Sequence, residues 1–493
     1  MLGWPRRPII YEINTLAWLQ ELSRRERKPV TLGTVPTQEW DALASYGFDA
    51  VWLMGVWERS PAGIRIANGN TGLQAEFGRV LSDYRQQGDN AGSAYCVRRY
   101  VVDEQLGGPN GLATARKKLA DRGMRLILDF VPNHVAPDHP WIMDHPQYFI
   151  QGTADDLAAK PGEFFKAGSA VLAHGRDPYF PPWPDVAQLN AFSPALRQAA
   201  LSTVLAIADQ CDGMRCDMAM LMMNPIFERT WGSRAGQKPG REYWVELMRA
   251  VRERHPKVLF VAEAYWDLEW DLQQQGFNYC YDKRLYDRLE HGPAEQVRLH
   301  LCADLAYQEK LVRFIENHDE PRAAATFGYQ KARAVAVTFA TVPGAKLFHE
   351  GQFEGYRVRL PVFLHRRPEE VPDRNLQIFY KSLLQTIRSA DFRDGEWTLC
   401  ERIGLPDNGS YMNVVAWCWE KATDRHLIVV NLSEVRSQAR VTLPWADLAG
   451  RSWRLTDPLQ QMVFERAGDE LRGAGLYVDL EPWGYHLLSV ESH

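Results

Sequence analysis

Eight short apolar runs alternate with amphipathic helical stretches from residue 9 to about residue 390. This alternation predicts an α/β fold rather than a fold with segregated helices and strands. The runs cover residues 9–13, 48–54, 125–131, 211–216, 257–262, 277–282, 311–316 and 345–349. Eight such units over this length predict a closed (β/α)8 barrel. A doubly wound open sheet is the alternative, but no Gly-x-Gly-x-x-Gly follows the first run, which disfavours it.

Two parts of the chain depart from this alternation. About 60 residues between the third and fourth runs are rich in Pro, Gly, His and aromatic residues, and a loop that long is usually functional. We therefore expect an inserted domain over 135–190 that overhangs one face of the barrel. After about residue 390 the chain contains short runs in which apolar and polar residues alternate. These runs predict an antiparallel β-sandwich over 391–493. The barrel itself would take 1–134 and 191–390.

Composition argues against several classes of partner and compartment. The formal net charge is −5, so the protein lacks the excess of positive charge that binds nucleic acid or an anionic membrane. Neither is therefore expected as a partner. Seven scattered cysteines without Cys-x-x-Cys pairs favour free thiols in a reducing compartment. The chain runs straight into its first predicted strand, with no signal peptide or membrane span before it. We therefore expect a cytoplasmic protein, whose oligomeric state no sequence pattern fixes.

Four of the predicted strands end in acids, histidines and an arginine. These segments are Asp129-Phe130-Val131-Pro132-Asn133-His134, Gly213-Met214-Arg215-Cys216-Asp217, Phe260-Val261-Ala262-Glu263 and Phe314-Ile315-Glu316-Asn317-His318-Asp319. In a closed parallel barrel the carboxyl ends of the strands gather on one face, where catalytic side chains lie. Carboxylates, histidines and an arginine would then share one pocket. That set predicts an enzyme that works by acid/base chemistry.

Glycosidic chemistry explains why these carboxylates need different surroundings. A retaining glycosidase uses one carboxylate as the nucleophile and another as the general acid/base. Glu263 fits the acid, because its apolar sequence neighbours would keep the carboxyl group protonated near neutral pH. Asp217 fits the nucleophile, because Arg215 points to the same side of the strand and would keep it ionised. Asp319 is a third carboxylate that would bind sugar hydroxyls and hold the ring distorted.

The four segments, in this order on predicted strands three, four, five and seven, resemble the signature regions of the alpha-amylase family, glycoside hydrolase family 13. The resemblance spans essentially the whole chain, and Val186-Ala187-Gln188-Leu189-Asn190 is similar to the family's fifth region. It implies that Asp217 is the nucleophile, Glu263 the acid/base and Asp319 the stabiliser of the transition state.

The same resemblance implies a set of substrate-binding residues. Arg215 would orient Asp217, while His134 and His318 would contact hydroxyl groups of the sugar ring that is cleaved. Tyr95, in Ser93-Ala94-Tyr95, matches the tyrosine that stacks on this ring.

Calcium is the metal that the resemblance implies. Asn133 matches a residue that ligates a structural calcium in many family members, whereas the chemistry itself needs no cofactor. A transition metal is the alternative for the histidines and aspartates at positions 134, 138, 139, 144 and 145. Their spacing matches no zinc motif, which favours hydrogen-bonded loop residues instead.

Two departures from the family pattern leave the substrate open. Many members have an aspartate before the tyrosine at the position of Tyr100, and that acid grips a terminal glucose. Here the residue is Arg99, which would meet a carboxylate or phosphate instead, or turn away. After Asp217, Met218-Ala219-Met220-Leu221 replaces the Lys-His pair of many amylases, so the leaving-group side is unusually apolar.

Three hypotheses about function follow. The first is a retaining glycoside hydrolase that cleaves α-glucosidic bonds of oligo- or polysaccharides through a covalent intermediate. The second is a transglycosylase on the same machinery, such as a disaccharide isomerase, a branching enzyme or a phosphorylase-like enzyme. The third is a non-catalytic barrel that binds sugar or a partner protein, which the presence of all three carboxylates disfavours.

Overall fold

The core of the protein is a closed barrel of eight parallel strands, which we number β1–β8. The computed structural model describes residues 3–492, so Met1, Leu2 and His493, which the predicted domains include, lie outside the described residues. The strands are Ile9–Asn14, Ala50–Met54, Arg125–Phe130, Gly213–Cys216, Leu259–Ala262, Tyr279–Tyr281, Leu311–Arg313 and Ala345–His349. Each overlaps a predicted run and pairs with its neighbours in chain order, and β8 closes on β1. The predicted (β/α)8 barrel is therefore confirmed.

Helices surround this barrel, and the longer ones bury an apolar stripe against it. The helix Tyr243–Arg254, for example, buries Trp244, Leu247 and Val251. The helices from β1 to β4 are Thr15–Glu26, Thr37–Tyr46, Pro61–Gly69, Thr71–Val80, Gln86–Asp89, Gly108–Ala120, Trp141–Asp144, Ala154–Ala159 and Pro194–Ala208. Those from β4 onward are Asn224–Trp231, Tyr243–Arg254, Glu269–Gln274, Lys283–His291, Ala294–Leu301, Leu305–Gln308, Ala323–Thr326, Gly328–Thr341, Arg374–Ile387, Ala390–Asp394 and Gly468–Gly473. None of them, within residues 3–492, is long and apolar enough to cross a membrane.

The segment between β3 and β4 contains a small antiparallel sheet, where the sequence indicated only an irregular loop. Its strands are His134–Val135, Gln151–Gly152, Phe164–Ala167, Ala170–Gly175 and Trp183–Gln188. Two of them are only two residues long, too short for an alternating pattern to show in sequence. Apolar side chains such as Val135, Leu172 and Ala187 give this segment a core of its own. A separate antiparallel pair, Trp57–Arg59 with Val97–Val102, follows β2.

The C-terminal part folds into two antiparallel sheets. One consists of Glu396–Leu399, Val414–Lys421, Asp424–Asn431, Ser452–Asp457, Met462–Ala467 and Tyr485–Ser492, and the other of Arg402–Ile403, Ser437–Val441 and Leu476–Leu480. Val429 from the first sheet and Val441 and Val478 from the second share one apolar core, as expected of a sandwich. The sequence did not reveal Met462–Ala467, because this edge strand is largely exposed and lacks an apolar face. The domain limits at residues 134, 190 and 390 stay predictions.

Candidate active site

The register of three neighbouring strands brings the acidic strand ends to one level. Arg215 on β4 lies opposite Asp129 on β3, and Cys216 lies opposite Ala262 on β5. Asp217 and Glu263 are the next residues along β4 and β5. Their backbone amides donate to the carbonyl oxygens of Phe130 and Cys216, which fixes both residues at the rim of the barrel.

Arg215 is the centre of this group of side chains. Its Nη1 donates to Asp217 Oδ1 at 2.7 Å and lies 3.4 Å from Asp129 Oδ1. Its Nη2 lies 2.8 Å from Glu263 Oε2, without the geometry of a hydrogen bond. One buried guanidinium therefore lies between the two carboxylates that the sequence nominates as nucleophile and acid/base.

Aromatic rings enclose the same guanidinium. Its carbon lies 5.3 Å from the ring centroid of Trp52, 5.1 Å from that of Tyr95 and 5.8 Å from that of Tyr281. Cations over ring faces are attracted by the negative charge of the ring quadrupole. These contacts hold Arg215 in one orientation, so the positions of its two carboxylate partners are defined before a ligand binds.

Glu263 has the surroundings of a general acid. The Met218 amide donates to its Oε2 at 2.6 Å, and the Tyr265 hydroxyl donates to its Oε1 at 2.9 Å. Burial nevertheless raises the pKa of Glu263 to about 7, against the lowering charge of Arg215 and with the help of the nearby Asp217 and Asp319. Glu263 can therefore carry a proton near neutral pH, as a general acid must.

Asp217 and Asp319 differ from Glu263 in how their charge is supported. Burial raises the pKa of Asp217, but the charge and hydrogen bond of Arg215 oppose this shift. Asp319 is more open, with 45% of its side chain exposed. Desolvation would raise the pKa of Asp319, but the charge and hydrogen bond of His318 outweigh it and lower this pKa to about 2. Asp319 is thus an anion at neutral pH, whereas the pKa of Asp217 stays above its usual value although Arg215 favours the charged form.

His318 connects β7 with β1 and with the rim beyond β2. Its Nδ1 is hydrogen-bonded to Glu12 Oε1, and its Nε2 lies 2.8 Å from the Tyr95 hydroxyl and 3.0 Å from Asp319 Oδ2. Burial alone would lower the pKa of His318, but the charges of Asp319 and Glu12 raise it well above its usual value. His318 is therefore an imidazolium that holds Asp319 and Tyr95 in position.

Tyr95 and His134 complete the cluster that the sequence predicts. The Tyr95 ring stacks on the His318 ring with centroids 5.2 Å apart. His134 is buried, which lowers its pKa to about 4, and its ring is hydrogen-bonded to the Tyr95 backbone. His134 is therefore neutral at pH 7. Tyr95 thus belongs to the cluster around Arg215 and His318, and His134 contacts this cluster through Tyr95.

Arg99 lies apart from this cluster. It is exposed on the strand Val97–Val102, where it forms an ion pair with Glu58 on the paired strand. The next residue, Tyr100, turns inward instead and exchanges hydrogen bonds with the backbone of Val131. Of the residues predicted to bind substrate, Arg99 is therefore the one that lies outside the cluster around Arg215 and His318.

The residues around Asn133 do not fit a calcium ion. The Gln188 side-chain amide donates to Asn133 Oδ1 at 2.9 Å, and Gln188 Oε1 lies 3.3 Å from Asn133 Nδ2. Calcium needs several oxygen ligands, usually including carboxylates. No group of three His, Cys, Asp or Glu side chains that could hold a metal occurs within residues 3–492.

Sequence reasoning missed several residues of the site. Asp129 lies in a quoted segment, but its role beside Arg215 and Trp52, whose Nε1 donates to it at 3.0 Å, was not assigned. Glu12 was an ordinary residue of the first predicted strand, although a buried acid in an apolar run was a usable signal. Nothing in the local sequence marked Trp52 or Tyr281.

Comparison with known proteins identifies the family. The family model for the alpha-amylase catalytic domain matches residues 36–414 of the chain. The chain belongs to the alpha-amylase family. The matched residues include the whole cluster around Arg215 except Glu12, which precedes them on β1.

Two curated relatives of this alpha-amylase family chain differ in their activities. Alpha-amylase MalA of Haloarcula japonica is 25% identical over 365 residues, which are 72% of this chain and 45% of that protein. The alpha-1,4-glucan:maltose-1-phosphate maltosyltransferase of Pseudomonas aeruginosa is 27% identical over 231 residues, 45% of this chain and 28% of that protein. The chain thus spans less than half the length of each of these two relatives.

Solved structures of the family share the fold over their full length. A maltogenic alpha-amylase from Thermotoga neapolitana matches with a TM-score of 0.69 and 17% identity, covering 98% of this chain and 99% of that one. Trehalose-6-phosphate hydrolase from Bacillus licheniformis matches with a TM-score of 0.68 and 14% identity, covering 99% and 100%. At these identities the likeness shows the fold alone.

Proposed function

We propose that this alpha-amylase family chain cleaves α-glucosidic bonds of oligo- or polysaccharides with retention of configuration. The observation that carries the proposal is the position of Arg215 between Asp217 and Glu263, with the pKa of Glu263 raised to about 7 by burial. Two neighbouring carboxylates whose environments differ in this way divide naturally into a base or nucleophile and an acid.

In the first step Glu263 donates its proton to the glycosidic oxygen while Asp217 attacks the anomeric carbon. The bond to the leaving group breaks, and a β-glycosyl ester of Asp217 forms. Arg215 stabilises the Asp217 carboxylate before the attack, and Asp319 with His318 binds hydroxyl groups of the distorted ring. In the second step Glu263 takes a proton from water, which attacks the ester and gives the α-product.

Transglycosylation is the second candidate, because it differs only in the second step. A sugar hydroxyl then takes the place of water. The apolar run after Asp217 does not separate the two candidates, since Ala219, Met220, Leu221 and Met222 are all buried in the main apolar core. The relative from Pseudomonas aeruginosa, a maltosyltransferase by name, is consistent with it. A non-catalytic sugar-binding barrel remains the third, disfavoured candidate.

The function is tested by incubating the purified protein with maltooligosaccharides, sucrose, trehalose, isomaltose and glycogen. We expect at least one α-glucoside to be consumed, with the products identified by NMR. Repeating the reaction with an added acceptor sugar distinguishes hydrolysis from transfer. Hydrolysis gives the same products as before, whereas transfer gives new glucosides of the acceptor. Binding of these sugars without any turnover would support the non-catalytic barrel instead. We propose a cytoplasmic location, which follows from composition alone.

The pH dependence of activity should follow the titration of Glu263. The acid must carry its proton to start the reaction, and its pKa is about 7. We therefore expect kcat/KM to fall about tenfold per pH unit above pH 7, since kcat/KM reports the free enzyme. Initial rates at low substrate concentration between pH 5 and pH 10 measure this fall in kcat/KM. A plateau that extends to pH 9 would contradict the assignment of Glu263 as the acid.

Chelation tests the implied calcium. The proposed chemistry needs no cofactor, and Gln188 already occupies the side-chain oxygen of Asn133. We expect EDTA to leave both the Tm and the initial rate unchanged, as measured by differential scanning fluorimetry and by a product assay. A fall in Tm that added Ca²⁺ reverses would show a structural calcium site after all.

A further inference from the structure

Two long segments of the chain meet beside the end of β1. This strand ends at Asn14, and the helix Thr15–Glu26 begins at the next residue, so no loop of its own covers this part of the rim. The segments that follow the neighbouring strands are much longer, since residues 61–94 come after β2 and residues 350–373 come after β8. They pack against each other beside the end of β1, and we call the two joined segments the wall.

Apolar packing and backbone pairing join the two halves of the wall. One buried apolar cluster contains side chains of both segments and of the helix after β1, namely Ala17, Phe77, Leu81, Leu360 and Leu364. The Ala91 amide donates to the Phe363 carbonyl oxygen at 2.8 Å, and Asn90 pairs with Leu364 as an isolated antiparallel bridge. The wall is therefore a packed structure that rests on the first turn of this helix.

Charged side chains fix the same contact. Asp89 is buried, and its two carboxylate oxygens accept from Arg366 at 2.6 and 2.8 Å. These bonds lower the pKa of Asp89. Nη1 of the buried Arg59 donates to a carbonyl oxygen of each segment, that of Gly92 at 2.6 Å and that of Val362 at 3.2 Å. Because charge-assisted bonds of this kind are strong and directional, we expect the wall to keep its position when substrate binds.

The wall borders the proposed place of the sugar ring at two points. Tyr95 is the residue directly after the first segment. In the second segment, Arg359 Nη1 donates to the Asp319 carbonyl oxygen at 3.1 Å, and Arg359 Nη2 donates to Glu76 at 2.9 Å. Tyr95 and Asp319 both contact His318. A ring bound by these three residues would therefore lie directly beside the wall.

The leaving group departs on the opposite side of the barrel. Glu263, the proposed acid, follows β5, and β5 is four strands from β1 in either direction around the barrel. The part of the substrate that leaves with the protonated oxygen lies on the reducing side of the cleaved bond. Any further sugars on the ring that Asp217 attacks lie on its non-reducing side. Those sugars would have to extend away from Glu263, towards the wall.

We propose that the wall closes the cleft beyond the attacked ring, so that the protein acts on the terminal glucose at the non-reducing end of its substrate. The proposal rests on the proposed function and defines its substrate as a chain end or a short glucoside rather than the interior of a polysaccharide. Each turnover then removes one glucosyl unit. The bond between its anomeric carbon and the leaving oxygen breaks, and that oxygen takes the Glu263 proton. Water or an acceptor hydroxyl then takes the unit from Asp217 and returns a proton to Glu263.

The test compares two forms of p-nitrophenyl α-maltoheptaoside, one with a free non-reducing end and one with the terminal O4 and O6 blocked by an ethylidene group. An enzyme that cuts inside the chain accepts both. We expect the wild-type protein to remove single glucosyl units from the free compound. On the blocked compound kcat/KM should be lower by about 100-fold or more, because the blocking group clashes with the wall and transition-state binding is lost. Chromatography of the products at low conversion measures both results.

Variants of the wall show whether it causes this discrimination. Arg366→Gln removes the ion pair with Asp89, and Arg359→Gln loosens the wall at the rim. Each should raise the blocked-to-free ratio of kcat/KM by about tenfold, since the clash is relieved. Arg436→Gln is the matched control, because Arg436 forms a similar pair of bonds with Asp479 in the C-terminal sheets. Its ratio should equal that of wild type, and circular dichroism checks the fold of each variant.

Three results would overturn the proposal. The first is a wild-type kcat/KM for the blocked compound within about threefold of that for the free compound. The second is maltose or a longer sugar as the first product from the free compound, which would show that the cleft continues past the wall. The third is an unchanged ratio in both folded wall variants.

Binding decides the proposal if the wild-type protein cleaves neither compound. In calorimetry with the same protein, binding of the free compound alone would support a closed wall, whereas equal binding of both compounds, or of neither, would overturn it. The proposed function itself fails only if maltose and the other α-glucosides are also left intact, so the two failures are distinguishable.

Discussion

Replacing Glu263 by glutamine is expected to lower kcat/KM for unactivated α-glucosides by about 10³-fold, within the range that general acid catalysis contributes. The reason is that Glu263 supplies the proton for the leaving oxygen, whereas glutamine has no proton to transfer. An α-glucosyl fluoride needs little protonation of its leaving group, so formation of the ester on Asp217 should be much less impaired with this substrate. Values of kcat/KM for both substrates measure the difference, because kcat/KM reports formation of the ester and not its breakdown.

Glu269 provides a matched control for this experiment. It is also a buried glutamate, and burial raises its pKa to about 7 as well, but it lies in the helix Glu269–Gln274 beyond the strand end. Glu269→Gln should therefore leave the rates on both substrates close to wild type. Equal losses in Glu263→Gln and Glu269→Gln, or equal losses on both substrates in Glu263→Gln, would argue against a specific acid role for Glu263.

Replacing Asp217 by asparagine should lower kcat by about 10⁴-fold or more on every substrate, because covalent catalysis loses its nucleophile. Unlike Glu263→Gln, this variant should gain nothing from a better leaving group, since no ester can form. The isosteric change keeps a hydrogen-bond acceptor for Arg215, so folding should persist. Circular dichroism and Tm check the fold, and initial rates on glucosyl fluoride and maltooligosaccharides check the activity.

The aspartate control is Asp209, an exposed residue whose Oδ1 lies 3.4 Å from His255 Nε2. Asp209→Asn should be fully active. A well-folded Asp217→Asn protein with rates near wild type would exclude Asp217 as the nucleophile. Loss of activity on natural substrates with retained activity on glucosyl fluoride would instead assign Asp217 a role on the leaving-group side.

The barrel could be predicted from sequence because its strands are enclosed on both faces. Residues Ala50–Met54 are all buried, so the segment is a continuous apolar run. Such a run can be identified as a strand from the sequence without knowing which strands pair with it. The acids at the strand ends are equally visible, because a charged residue directly after such a run stands out. Asp217 and Glu263 therefore come together by register alone once the strands are known to be neighbours.

Contacts between distant segments could not be predicted in this way. Glu12 and His318 are 306 residues apart, and only the closure of the barrel between β8 and β1 brings them into contact. The contact between the Tyr179 and Trp266 rings depends on the path of the segment between β3 and β4, whose short strands carry little periodicity. Arg99 is a case in which the sequence suggested a contact that the structure does not contain. Its position in the family pattern suggested contact with substrate, but the pairing of its strand places it opposite Glu58.

The most direct test of the account is to identify the residue that carries the sugar during turnover. The Glu263→Gln variant should accumulate a glycosyl ester when it is supplied with 5-fluoro-α-glucosyl fluoride, because the ester forms without the acid and breaks down slowly without the base. Peptide mass spectrometry should then find one glycosyl group on Asp217. An ester on another carboxylate, or no ester together with products of inverted configuration by NMR, would contradict the proposed mechanism.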